Sequence, residues 1–125
     1  MQLRFLGKES TPTNSPTLYA TDQDSYVIQG WIILDLGVLA RNDVQDDETL
    51  IEIPASLMKY LERDGLIGDI ERIAEPIVDR TPNGNYVLRG RRVTDPDTIR
   101  QMNIPGYETC VHVTKSAVAA LLTTG

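Results

Sequence analysis

Hydrophobic and polar residues alternate in several short runs of this chain, with the period of two that is typical of β-strands. The clearest runs are Thr49 to Ile53 and Thr109 to Val113, in which every second side chain is Thr, Ile or Val. Tyr26 to Ile28 and Tyr86 to Leu88 are rich in the β-branched and aromatic residues that strands favour. The pattern predicts strands at these four places and a further strand at residues 1–6.

Helices are predicted after each of these strand segments. Thr94-Asp95-Pro96 is a typical helix start, with a polar cap followed by Pro at the first helical position. Asp35 offers the same cap but is followed by Gly37, which predicts a less regular helix. Apolar residues at helical spacing predict closing helices over residues 56–63 and 116–122.

These elements fall into two segments that match at a constant spacing of 60 residues. Residues 16–62, aligned without gaps on residues 76–122, share ten identical residues over 47 positions, whereas average composition gives roughly three by chance. We call two residues matched in this alignment counterparts. Each segment begins with a short strand, at residues 17–20 or 77–80.

The alignment predicts an α+β fold made of two tandem pseudo-symmetric β-β-α-β-α repeats packed around a shared core. Residues 1–125 are expected to form a single compact domain, with residues 64–75 as the linker between the repeats. A unit of about 50 residues is marginally stable alone, so the two repeats are expected to cover each other's apolar faces.

Charge is distributed unevenly along the chain. The net charge is −6; residues 1–65 contain 5 basic and 11 acidic side chains, and residues 66–125 contain 7 of each. The overall acidity argues against a protein whose whole surface binds nucleic acid. The polarity between the halves favours oriented association with a partner.

The sequence lacks the motifs of the common catalytic and metal sites. The single Cys110 excludes an internal disulfide and multi-cysteine metal motifs, and the single His112 excludes sites with two histidines. A Cys110–His112 pair on one strand face is conceivable, but Leu50 is the counterpart of Cys110 and favours a packing role. The sequence contains no Gly-rich phosphate loop and no serine elbow, and it predicts no catalytic residue, cofactor or metal site.

Candidate partner-binding residues form an acidic group, an arginine group and a single tryptophan. The acidic group suits docking of a basic partner better than cation binding, and consists of Asp43, Asp46 and Asp47. The arginine group suits phosphate or carboxylate recognition, with solvated strand charges as the alternative, and consists of Arg89, Arg91, Arg92 and Arg100. Trp31, the counterpart of Arg91, is an interface anchor if exposed and a core residue otherwise.

Three segments of the second repeat resemble the BldB-like proteins, a family of small actinobacterial regulatory domains. They are Tyr86 to Arg89, Val93 to Pro96, and Thr109 to Val113 followed by the helix from Ser116. The resemblance implies a non-enzymatic regulatory or antitoxin-like protein, with a helix-turn-helix regulator or a toxin as its partner. The chain differs from that family in carrying the unit twice and in lacking an aromatic pair in the closing helices.

The sequence therefore favours a protein-interaction or regulatory module that acts by surface association with another protein, or with a second copy of itself as a dimer. A nucleic-acid or phospholigand-binding regulator is the first alternative, and a small enzyme with a cleft between the repeats is the second. No apolar run approaches the roughly 18 residues of a membrane span, and the N-terminus lacks a leader-like apolar core. We expect a cytoplasmic bacterial protein that does not bind membranes.

Overall fold

Strands dominate the structure, a computed structural model that describes residues 1–9, 16–42, 44–70 and 73–123. Its mixed composition confirms the predicted α+β class. The strands are β1 (Leu3–Lys8), β2 (Thr17–Thr21), β3 (Ser25–Ile32), β4 (Glu48–Ile53), β5 (Asp69–Ile70), β6 (Ile77–Arg80), β7 (Tyr86–Arg92), β8 (Glu108–Thr114) and β9 (Leu122–Thr123). The helices are α1 (Leu36–Arg41), α2 (Pro96–Ile99), α3 (Lys115–Ala119) and a 3-10 helix (Ala55–Asp64).

Seven strands form one antiparallel sheet that closes on itself. β3 pairs with β8, β8 with β7, β7 with β4, and β4 with the end of β3. These four pairings complete a ring. β2 extends the sheet from β3 and carries β1, while β6 extends it from β7. A ring of this kind has an inner face that is buried along its whole circumference.

Two glycines lie where the ring closes. A Cβ atom added to Gly30 of β3 would lie 2.7 Å from the carbonyl oxygen of Glu52, and one added to Gly90 of β7 would lie 2.9 Å from Cβ of Val111. Real side chains do not approach so closely. The absence of a side chain at both positions therefore permits the two short pairings, β3 with β4 and β7 with β8.

The main hydrophobic core fills the inside of the ring and draws on both segments of the chain. Inward-facing aromatic and aliphatic residues of the four ring strands form its centre: Tyr26, Ile28, Ile51, Ile53, Tyr86, Leu88, Val111 and Val113. The 3-10 helix adds Leu57 and Leu61, and α3 adds Val118. Because these helical residues are fully buried, both closing segments are part of the same core.

A second, smaller core lies outside the ring beneath α1. Val38 and Leu39 of α1 pack against the buried side chains of Leu50 and Val87. Gly37 does not shorten α1, which has six residues, whereas α2 has four; the predicted lower regularity of α1 stays a prediction. The Asp35 carboxylate accepts hydrogen bonds from the Gly37 and Val38 amides at 2.8 and 3.2 Å, so the cap forms despite the glycine.

The closing segments also differ from the helices predicted for them. The first is a 3-10 helix that ends at Gly65, whose φ of 86° is the left-handed conformation of a helix C-cap. The second is an α-helix of five residues, followed by the short strand β9, which pairs with β5 inside the predicted linker. The N-terminal strand spans Leu3–Lys8 rather than residues 1–6.

Asp64, at the end of the 3-10 helix, connects three other parts of the fold. Its carboxylate accepts hydrogen bonds from the Tyr26 hydroxyl at 2.7 Å and from Arg4, and lies 3.1 Å from the Lys115 ammonium. Burial acts to raise the pKa of Asp64, but the Tyr26, Lys115 and Arg4 donors outweigh it and the pKa is lowered. The carboxylate therefore stays ionised and holds β1, β3 and α3 to the helix end.

We predict that Gly30→Ala and Gly90→Ala each lower the free energy of unfolding by about 1–3 kcal/mol, because the added methyl group overpacks the closure points. Equilibrium denaturation with urea measures the change. Gly106→Ala is the matched control, since a Cβ there meets no atom within 4 Å. Equal stability of the three variants would contradict the closure argument.

Candidate functional site

Large apolar side chains are exposed at one end of the ring, where β3 runs into α1. Leu34 is 81% exposed and Leu36 is 79% exposed, and Ile32 and Tyr107 are exposed beside them. The Ile32 amide donates to the Tyr107 carbonyl at 3.0 Å, which brings the turn before β8 to the end of β3. We call Ile32, Leu34, Leu36 and Tyr107 the apolar rim.

The rim was not singled out by sequence reasoning, although a signal for it exists. Ile32, Ile33 and Leu34 are three consecutive apolar residues, which breaks the alternation of a half-buried strand. Ile33 is buried in the smaller core beneath α1, whereas Ile32 and Leu34 on either side of it are exposed. Their counterparts are Arg92 and Thr94, which are ordinary surface residues.

The predicted acidic group and Trp31 do not form one cluster. Asp43 lies outside the described residues, and Asp46 and Asp47 are exposed in the loop before β4. Trp31 of β3 is half-buried. It pairs with Glu52 of β4 on one side and with Glu108 of β8 on the other. Trp31 thus lies next in sequence to the rim.

The arginine group is divided by the structure. Arg89 and Arg91 line one cavity together, whereas Arg100 lies at the C-cap of α2 and pairs with Asp97. Arg89 pairs with Glu75 and lies 3.8 Å from Glu48. Arg91 lies 3.8 Å from Asp47. Three of the four predicted arginines therefore have carboxylate neighbours.

His112 is held in a polar contact that ties the β2–β3 hairpin to β8. Its Nε2 lies 2.7 Å from the Ser25 hydroxyl, which is also 2.5 Å from the Thr21 hydroxyl. A serine beside a histidine is the arrangement of an activated nucleophile. The counterparts of Ser25 and His112 are Asn85 and Glu52, however, and the Asn85 amide donates to the Glu52 carboxylate at 2.8 Å. The counterpart contact is thus made by two residues that cannot act as a nucleophile. This favours a structural role for the Ser25–His112 contact.

Cys110 is buried on the outward side of β8 and is a poor nucleophile. Burial raises the pKa of its thiol to about 11, so the thiolate is scarce at neutral pH. His112, which was considered as its base, is bonded to Ser25 instead.

No protein family, curated protein or solved structure matches this chain in the comparisons made. No described helix is long and apolar enough to cross a membrane. Within the described ranges, no three His, Cys, Asp or Glu side chains come together as metal ligands.

The single histidine makes stability depend on pH in a defined window. Burial, and then the charge of Arg91, lowers the pKa of His112 below its ordinary value of 6.5. The unfolded chain consequently binds more protons than the folded chain just below pH 6.5, so the free energy of unfolding falls as the pH drops through that value.

We predict that His112→Gln, which keeps an amide donor for Ser25, reduces this fall. Urea denaturation between about pH 7.5 and about pH 5.5 compares the two proteins across the range in which an ordinary histidine titrates. An equal fall in both would mean that another group is responsible.

Proposed function

We propose that this chain is a non-enzymatic protein-interaction module that acts by surface association, with the apolar rim as its docking surface. The exposure of Leu34 and Leu36 carries this proposal, because they add nothing to the core. Clustered exposed apolar side chains on a folded protein mark sites that a partner covers. Trp31, adjacent to the rim, suits the anchor role proposed for it.

The charge around the rim favours a basic partner. Asp35 lies between Leu34 and Leu36, and Glu52 stands opposite Trp31. Neither carboxylate forms an ion pair with another described residue. The first half of the chain also carries the whole net charge of −6. A regulatory protein with apolar and basic side chains at its contact surface would complement both features.

We further propose that the two segments arose by tandem duplication and form pseudo-symmetric repeats around one core. The strand registers support this. Six consecutive residue pairs of β3 and β8 run from Tyr26↔Val113 to Trp31↔Glu108. Replacing both residues of each pair by their counterparts gives the six pairs that join β7 to β4, from Tyr86↔Ile53 to Arg91↔Glu48. The ring closures follow the same rule, since Trp31↔Glu52 corresponds to Arg91↔His112.

The alternative functions have less support. A nucleic-acid-binding surface would need a continuous run of free arginines, but Arg89, Arg91 and Arg100 each lie beside a carboxylate, and Arg100 is at the C-cap of α2 rather than on β7. An enzyme would need an activated group in a cleft, and neither Cys110 nor His112 provides one. A cytoplasmic location is part of the proposal, and a buried free thiol suits that reducing compartment.

We predict that Leu34→Ser and Leu36→Ser change the free energy of unfolding by no more than about 0.5 kcal/mol, as expected for surface positions. Thermal and urea denaturation test this. A loss of several kcal/mol would show that the rim is part of the core and would remove it as a docking surface.

Photo-cross-linking in living cells tests the function itself. We predict that p-benzoylphenylalanine at position 34 forms a discrete covalent adduct with one protein, and that Leu36→Ser abolishes it. The same probe at position 94, the exposed counterpart, is the matched control. Adducts of equal yield at both positions, or no adduct at position 34, would contradict the proposal.

A further inference from the structure

A cavity of about 430 Å³ opens beside β7. It exists because two strands share one edge of β7: β6 pairs with it as far as Leu88, and β8 pairs with it from Arg91 onward. Arg89 and Gly90 lie between them and line the cavity, together with Val113 of β8 and Ala117 of α3. We call this cavity the β7 notch.

The notch is open because a small residue stands where the first segment has a large one. The counterpart of Ala117 is Leu57, which is fully buried in the main core. The counterpart of Arg89 is Gln29, only 1% exposed, whose amide donates to the Asn103 carbonyl at 2.9 Å and to the buried Glu108 at 2.8 Å. The counterparts of these two notch residues are thus buried in the first segment.

Three strand residues that line the notch differ in charge from their counterparts in the first segment. Gln29 corresponds to Arg89, Trp31 to Arg91, and Glu52 to His112. Each difference adds a cation or removes an acid. The neighbouring positions in the strands are unchanged, with Gly at 30 and 90 and Thr at 49 and 109. Differences that enlarge one cavity and make it more cationic are what an anion-binding site requires.

We propose that the β7 notch binds a small organic oxyanion, a phosphate or carboxylate group on a compact and partly apolar body. Arg91, whose side chain is 76% exposed, and Arg89 supply the guanidinium groups. Pro76, Val113 and Ala117 form the apolar wall. The volume is within the range of small-molecule sites, about 300–1,000 Å³.

Glu75 occupies the position of the ligand's anionic group in this structure. Its side chain is 72% exposed and pairs with Arg89, whereas the Glu48 carboxylate, 24% exposed, lies 3.8 Å from the same guanidinium and orients it from the ring. An exposed side chain is readily displaced, so a ligand oxyanion takes the place of Glu75 on Arg89. The site uses no residue of the apolar rim.

Titration of the ¹⁵N-labelled full chain with phenyl phosphate and with benzoate tests this, followed by two-dimensional NMR at constant ionic strength. We expect saturable shifts concentrated at the amides of residues 89–91 and 112–114 with at least one probe. Tighter binding of phenyl phosphate assigns the ligand class to phosphate esters, and tighter binding of benzoate assigns it to carboxylates. The absence of saturation with both probes at millimolar concentration overturns the proposal.

Three variants make the test specific. Ala117→Leu, which restores the residue type of its counterpart, should weaken binding at least about tenfold by filling the notch, and Arg91→Gln should weaken it similarly. Glu75→Gln should strengthen binding severalfold, because it removes the competing carboxylate. Saturable binding that is unaffected by Ala117→Leu and Arg91→Gln would place the ligand elsewhere and overturn the proposal.

Discussion

The fold depends on the close approach of backbones at Gly30 and Gly90. At each glycine the neighbouring strand lies so close that an added Cβ atom would overlap with it. At these positions β3 begins to pair with β4, and β7 begins to pair with β8. Ring closure then fixes which side chains face inward, because the side-chain period of a strand is two and a ring has one inner face. The buried core, the covered outer face beneath α1 and the exposed ends are all consequences of those two contacts.

Polar ties join the two segments of the ring. Ser25 with His112 joins the first hairpin to β8, and Asn85 with Glu52 joins the second hairpin to β4. Each tie runs from a hairpin in one segment to a strand in the other, so neither segment can separate without breaking both the ring and the ties. Asp64 adds the closing 3-10 helix to this frame. A surface built on such a frame is held in place before any partner arrives.

Sequence reasoning predicted the local elements better than the surfaces. The alternation in β4 and β8 follows from properties of a few adjacent residues. The 3-10 form of the first closing helix could not be predicted, because tertiary contacts of its buried Leu57 and Leu61 decide it. The exposure of Leu34 and Leu36 was missed because an apolar residue is expected to be buried. Only the closed ring shows that the buried positions are occupied by other side chains. The pairing of Arg89 with carboxylates from β4 and from the segment before β6 likewise requires the topology.

The two ends of the ring show that surface chemistry varies here independently of the backbone. At one end the Ile32 amide donates to the Tyr107 carbonyl at 3.0 Å; at the other the Arg92 amide donates to the Asp47 carbonyl at 2.8 Å. The two bonds join counterpart residues, yet one end presents apolar side chains and the other charged ones. Stability requires only the shared bond. The shared bond forms with either kind of side chain, so the difference between the two ends agrees with the two proposals made above: a partner protein at the apolar rim and an anion at Arg91 in the β7 notch.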